Sequence, residues 1–277
     1  YHTLEEVDLV KDSKGKSISA TLKSNGEPVI LAGMEKMSKS KNNGVDPQAL
    51  INEYGADTSR LYTMFASPPE QTLEWREDGV NGALKFLRRL WKLYTENAIE
   101  SCESVELASM NKEQKALYRK TNETIKKVTD DYERRHSFNT AIAAVMELVN
   151  SVVKHPSNKT DSDRWVIKHA LETAVLLLSP VVPHMSQELW SISGNSDLIV
   201  DADWPMCDEK SLTKDEILII IQVNGKTRGK MEVAADLSKE QIEEKAIKDE
   251  NVSKFIQDKT VRKVIIVPGR LINIVAN

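Results

Sequence analysis

The chain has 277 residues, 40% hydrophobic and 29% charged, with a net charge of −4 and two cysteines. This is an ordinary globular composition, long enough for two or three compact units, with no apolar run long enough to span a membrane. Charge is uneven: residues 217–277 hold 11 Lys+Arg against 8 Asp+Glu, a mildly basic tail behind an acidic middle, which fits a small RNA-contacting module rather than a chain-wide nucleic-acid binder.

Cys102 and Cys207 lie far apart with no Cys or His at ligand spacing, which argues against a zinc site and a disulfide framework and suits a reducing cytosol. The polar, acidic start Tyr1-His2-Thr3-Leu4-Glu5-Glu6 is no signal peptide, and the missing initiator Met points to an excised fragment.

Residues 1–32 read as short strands and turns. Val7–Val10, Ile18–Leu22 and Val29–Leu31 are the strand segments, with Asp12-Ser13-Lys14-Gly15 a turn and Asn25-Gly26 a hairpin signal. Next comes Gly33-Met34-Glu35-Lys36-Met37-Ser38-Lys39-Ser40-Lys41-Asn42-Asn43-Gly44. It sets three lysines within six residues, between glycines, with serines interleaved. Gly gives backbone freedom, Ser gives hydroxyls and Lys gives movable point charges, as a loop folding over a polyphosphate requires. A solvated surface turn fits the same residues.

Asp46-Pro47 starts a helix, with a capping carboxylate and Pro at the first position, and Gly55 ends it. A second helix begins near Asp57, with Leu61, Met64 and Phe65 at helical spacing. Ser67-Pro68-Pro69 breaks it, and Trp75 is a packing anchor. Arg60 reads as a structural ion pair, with RNA contact as the alternative.

Residues 76–192 read as helices throughout. Their apolar stripes are Val80/Leu84/Leu87/Trp91/Tyr94, Leu117/Thr121/Ile125/Val128/Tyr132, Phe138/Ile142/Val145/Val149/Val152 and Ile167/Leu171/Ala174/Leu178. The run Ala174–Leu178 is apolar all round, so the fourth helix is expected to be the most buried. A short helix after Pro183 carries Met185, Leu189 and Trp190. Lys85, Arg88, Arg89 and Lys92 lie off the first stripe: a solvated cationic face, with RNA-backbone contact as the sharper alternative. His169 and His184 read as packed or capping residues. The helical pattern stops at residues 193–215, which read as a linker.

Residues 216–277 form a separate α+β unit. Ile217–Val223 is a continuous apolar strand, Asn224-Gly225 a hairpin turn, and Lys226–Val233 the return strand. Strict alternation puts Lys226, Arg228 and Lys230 on one face. Ser238 caps a helix to about Ile247, a second follows from Val252 to Ile256, and Val261–Val267 with Leu271–Val275 closes a hairpin across Pro268-Gly269. The cationic stripe reads equally as phosphate contact or as an edge strand protected by lysines.

Lys36-Met37-Ser38-Lys39-Ser40 matches the KMSKS signature of class I aminoacyl-tRNA synthetases in all five residues. With Lys41-Asn42-Asn43-Gly44-Val45-Asp46-Pro47, Tyr54-Gly55-Ala56-Asp57, Thr72-Leu73-Glu74-Trp75 and Gln222-Val223-Asn224-Gly225-Lys226-Thr227-Arg228-Gly229-Lys230, the chain resembles the bacterial leucyl-tRNA synthetases over essentially its whole length. The resemblance implies a multidomain, mainly α fold. Residues 1–32 would end a leucyl-type insertion, and 33–75 would be the lysine loop and its supporting helices at the end of the catalytic domain. Residues 76–192 would be an anticodon-binding-type helical bundle, 193–215 a linker, and 216–277 an α+β C-terminal domain that touches tRNA.

It implies leucine--tRNA ligation through leucyl-adenylate, with ATP as substrate, Mg2+ alongside it and no metal site in this portion. It also implies tRNA(Leu) as partner, neither membrane nor DNA as partner, and a cytoplasmic location. Lys36 and Lys39 become the catalytic cations, and Lys36, Ser38, Lys39 and Ser40 the ATP contacts. Lys226, Arg228, Lys230, Arg88, Arg89 and Lys92 become candidate tRNA contacts. No His-x-Gly-His element occurs in the sequence, and the nucleotide-binding sheet and editing domain are absent, so this portion is expected to be inactive without a catalytic half. A non-catalytic tRNA-binding module would leave the lysine loop idle. The related valyl, isoleucyl and methionyl enzymes are disfavoured by residues 1–32 and by Gln222–Lys230.

Overall fold

A computed structural model describes residues 2, 6–13, 17–31, 33, 35–41, 43–98, 102–156, 160–213, 216–234, 237–257, 259–267 and 270–277. The chain divides into two compact units, Tyr1–Cys207 and Asp208–Asn277. The fold is α-rich and multidomain. Among the described residues no helix is long and apolar enough to cross a membrane.

The first unit opens with a small antiparallel sheet, β1 (Val7–Lys11), β2 (Ser17–Leu22) and β3 (Pro28–Val29), in that order. Only Val7 and Ala20 are buried in it, and β3 ends at Val29, one strand pair beyond Pro28, with Ile30 and Leu31 exposed. Of the expected turn, Lys14-Gly15 lies outside the described residues.

Helices follow: α1 (Pro47–Tyr54), α2 (Ala56–Ala66), α3 (Glu77–Asn97), α4 (Lys112–Asp130), α5 (Phe138–Lys154), α6 (Asp161–Leu178) and α7 (Pro183–Ile192). Their starts have local causes. Asp46 accepts from the Gln48 N–H ahead of Pro47, while Asn111 with Gln114 and Thr160 with Asp163 form reciprocal capping boxes. Nine residues of α6 are buried, including Ala174, Val175, Leu177 and Leu178, so α6 is the central helix the apolar run predicts.

α3 departs from the expected stripe. Val80, Ala83, Phe86, Leu87, Leu90 and Tyr94 are buried, whereas Trp91 is 38% exposed. The helix packs on α2 on one side and on α6 and α7 on the other, so its buried arc is wider than one stripe and is centred away from Trp91. Phe65 on α2 is likewise exposed, while Leu61 is fully buried.

One buried polar network in this unit centres on Asp163. Asp163 is buried, accepts from Thr160 Oγ1 at 2.6 Å and Gln114 Nε2 at 2.9 Å, and meets His155 Nε2 at 3.2 Å. Burial alone would raise this carboxyl. The hydrogen bonds from Thr160, Gln114 and His155 outweigh it and hold the pKa at about 2. The network ties α4, the end of α5 and the start of α6 together. Burial also pushes the Tyr94 hydroxyl up to about 12, with Ser193 Oγ accepting from it at 3.0 Å.

The segment expected to be a linker packs on the helices as far as Cys207. Ile199 is buried, with its N–H donated to Gln187 Oε1 at 2.9 Å, and Trp204 Nε1 donates to Thr129 Oγ1 at 2.8 Å. Those anchors lie in a stretch without the periodicity that marks a packed element.

The second unit is a four-stranded sheet in the order β5-β4-β7-β6, made of β4 (Glu216–Val223), β5 (Lys226–Ala234), β6 (Val261–Val267) and β7 (Leu271–Ala276). β4 and β7 run parallel, and the other pairs are antiparallel. Helices α8 (Lys239–Lys248) and α9 (Glu250–Ile256) supply Ile242, Ala246, Val252 and Ile256 to a core with Ile219, Ile221, Val223, Ile272 and Ile274. Asn224 and Gly225 turn with φ of 50° and 77°, the double left-handed conformation that Asn-Gly favours. Asn224 also exchanges two side-chain hydrogen bonds with the Ala276 backbone, which staples the turn to β7. Pro268-Gly269 lies outside the described residues.

Candidate nucleotide loop and cationic strand

The lysine loop is held by its own polar groups. Lys39–Lys41 forms a single 3₁₀ turn, closed by the Lys41 N–H donating to the Ser38 carbonyl at 3.1 Å. Asn43 Oδ1 accepts from the Ser38 N–H at 2.8 Å, and Asn43 Nδ2 donates to the Lys36 carbonyl at 3.3 Å. Ser38 Oγ and Ser40 Oγ stand 3.3 Å apart, and Lys41 Nζ pairs with Glu35 Oε2 at 2.6 Å. The result is a turn whose backbone is braced from within. Lys36 and Ser40 are exposed on it, and Ser38 is half-buried. The Lys39 side chain lies outside the described residues.

Asn43 and Glu35 were not among the expected site residues. Their signal is weak: a carboxamide five residues from Ser38 matches no common turn pattern. Chemically, the turn offers hydroxyls and mobile cations to an anion. Among the described residues no group of three His, Cys, Asp or Glu side chains could hold a metal ion.

α1 and α2 carry the loop. Gly55 joins them with φ of 86°, a left-handed value that disfavours a side chain there. The Tyr62 hydroxyl on α2 accepts from the Arg76 N–H at 2.9 Å, and its ring meets Trp75 edge-on at 5.0 Å. Trp75 is thus a packing residue. Gly79 lets α3 approach, since a Cβ there would lie 2.4 Å from the Tyr62 ring.

The α3 cations do not converge on one point. Arg88 is exposed, Arg89 lies over the Phe86 ring at 5.8 Å, and exposed Lys92 pairs with Glu96 at 3.8 Å.

The expected stripe on β5 is broken. Ile221 pairs with Gly229 and Gln222 with Thr227, so Arg228 is the extra residue of a β-bulge. The bulge reverses alternation across it. Lys226 stands opposite Val223, on the side of the helix-covered core, whereas Lys230 stands opposite Ile220, on the other side. The Arg228 guanidinium is drawn onto the α9 ring of Phe255 at 4.0 Å. Gly229 makes room for this arrangement, since a Cβ there would already touch Asp249 and Val252. The three cations therefore do not share a face.

Comparisons with known proteins extend this picture. A family model described as the anticodon-binding domain of tRNA ligase matches residues 114–244, and one described as tRNA synthetases class I (I, L, M and V) matches residues 28–76. The leucine--tRNA ligase of Marinobacter nauticus is 54% identical over the whole chain. The chain is similar to leucine--tRNA ligases over its whole length. The leucine--tRNA ligase of Vibrio parahaemolyticus is also 54% identical, over 98% of the chain. In each case the chain spans 32% of the relative's length. A LeuRS of Agrobacterium radiobacter K84, solved as a ternary complex with tRNA and LeuAMS, superposes on 87% of the chain with a TM-score of 0.74 and 32% identity, over 31% of its own length. The chain thus spans about a third of the length of the leucine--tRNA ligases it matches.

Proposed function

We propose that the chain is the C-terminal part of a leucine--tRNA ligase, supplying its ATP loop and tRNA-handling surfaces. One observation carries the reading: the lysine loop stands on two braced helices within a chain that matches leucine--tRNA ligases from end to end. In the first half-reaction the leucine carboxylate oxygen attacks the α-phosphorus of ATP, and pyrophosphate leaves. In the second, a hydroxyl of the terminal tRNA ribose attacks the leucyl carbonyl, and AMP leaves.

The protein's part is positioning and charge stabilisation. Lys39 bears on the leaving phosphates, with Lys36 as a supporting charge and the Ser38 and Ser40 hydroxyls as donors. Mg2+ enters with the ATP phosphates, since a cationic loop is the wrong donor set to hold it. Within this reading residues 33–75 end the catalytic domain, 76–192 form the tRNA-binding helices, and 216–277 touch the outer corner of the tRNA. Lys226, Arg228 and Lys230, with Arg88, Arg89 and Lys92, remain the RNA-contact candidates, and the protein works in the cytoplasm. ATP–pyrophosphate exchange by the complete enzyme tests the reading. Lys39→Ala should slow exchange by about 10²-fold, the scale of one lost electrostatic contact to the transition state, with unchanged thermal unfolding. An unchanged exchange rate overturns it.

A further inference from the structure

Asp57 and Arg60 lie one turn apart on α2, and both reach the corner between α6 and α7. Asp57 accepts from the Met185 backbone N–H at 2.6 Å and from His184 Nδ1 at 2.8 Å. Met185 is in the first turn of α7, whose own preceding residue, Val182, offers no side-chain cap. A carboxylate from another helix thus satisfies an N–H that α7 leaves open, at the end where its dipole favours negative charge. Arg60 does the converse. Its Nε and Nη2 each donate at 2.9 Å, to the Val181 and Pro180 carbonyls just past the end of α6. One turn of α2 therefore sets an anion on the start of α7 and a cation beside the end of α6.

The contact is also sheltered. The Asp57 side chain is 11% exposed although His184 is 76% exposed, so the carboxylate, rather than the imidazole, is the enclosed element. Among the described residues neither makes a hydrogen bond or ion pair to the lysine loop, but the loop continues in the chain directly into α1 and then α2. Rotation of α2 would carry the loop with it.

We propose that Asp57 and Arg60 are positioning residues that hold the lysine loop in register with the helical unit, so that adenylate formation in the complete enzyme depends on this joint. The proposal rests on the reading of the loop as an ATP-phosphate loop. Asp57→Asn keeps an acceptor but loses the charge that suits the α7 terminus. Arg60→Lys keeps the charge but not the two-pronged grip on both carbonyls.

The test is ATP–pyrophosphate exchange by the complete enzyme, with each variant made alone and in a Lys39→Ala background, and thermal unfolding alongside. Alone, each variant should slow exchange by roughly tenfold at saturating substrate, since small misplacements of reacting groups are costly. In the Lys39→Ala background the same change should have little further effect, because the group being positioned is gone. His184→Ala leaves the backbone bond from Met185 to Asp57 intact and removes only an exposed ring, so it should fold and lose less than Asp57→Asn. Equal fractional losses in both backgrounds, or a fall in melting temperature with no loss of rate per folded enzyme, overturn the proposal. An unchanged rate in Lys39→Ala alone is a different failure. It removes the phosphate reading of the loop, and this inference with it.

Discussion

The lysine loop and strand β5 each place three cations close together in sequence, yet the fold treats them in opposite ways. The loop has no buried side chain among residues 35–38 and 43–49, and its shape comes from Asn43 and from a 3₁₀ turn. β5 is the edge of a sheet with a packed core, and there the backbone, through the bulge at Arg228, decides where each cation goes. Cations on a braced but exposed turn can follow a moving anion. Cations on a sheet are committed, one to an aromatic ring and another to the opposite face. Charge spacing in the sequence is therefore a better guide to function in the loop than in the strand.

The largest test of that contrast is the separation of activity from stability. Lys39→Ala should cost about 10²-fold in exchange rate while leaving the melting temperature within a degree or so, because a single cation in a polar loop contributes little to folding. Asn43→Ala, which removes the two hydrogen bonds its carboxamide makes to Ser38 and Lys36, should give a smaller rate loss of about tenfold with a similarly unchanged melting temperature. A large drop in melting temperature for either variant would mean that the loop is part of the core and that the contrast is false.

Acid should find the helical core rather than either cationic segment. Asp163 titrates near 2 in the fold, against about 3.9 for a free carboxylate, so the unfolded chain takes up the proton first. The stability this carboxylate contributes is whole above about pH 4 and is lost as pH falls towards 2. Melting temperatures measured across that range should fall steeply for the native chain. The fall should be shallower for Asp163→Asn, which starts lower at neutral pH. Parallel curves would show that the Thr160–Gln114–His155 network does not hold the charge.

How much could be read in advance follows the same division. The helices were legible because capping residues and wide apolar faces repeat along them: Asn111 with Gln114, Thr160 with Asp163, and the run Ala174–Leu178. Trp91 was misplaced because a helix packed on two sides buries an arc that a single 4-3-4-3 stripe understates. Residues 193–207 read as a linker because Ile199 and Trp204 are single anchors with no period. The cationic stripe failed for a different reason. One bulge residue reverses alternation, and only the pairing partner across the strand, Gly229 opposite Ile221, reveals it. The lysine motif was plain in sequence, but the internal brace from Asn43 and the grip of Asp57 and Arg60 on the α6–α7 corner depend on residues brought together by folding.

Within β5 the contrast sharpens to two residues. Arg228→Ala removes the guanidinium from Phe255 and its packing beside α9, so it should cost the second unit about 1–2 kcal/mol. Lys230→Ala, exposed and opposite Ile220, should cost under about 0.5 kcal/mol. Their effects on tRNA binding should rank the other way. If Lys230 meets a phosphate, its removal lowers the slope of log K against log[salt] by roughly 0.7–0.9, while the binding lost with Arg228 should track lost stability instead. A salt slope that moves for Arg228→Ala and not for Lys230→Ala would place the RNA on the helix-covered side of the strand, and the bulge would then be presenting Arg228 to RNA rather than withdrawing it.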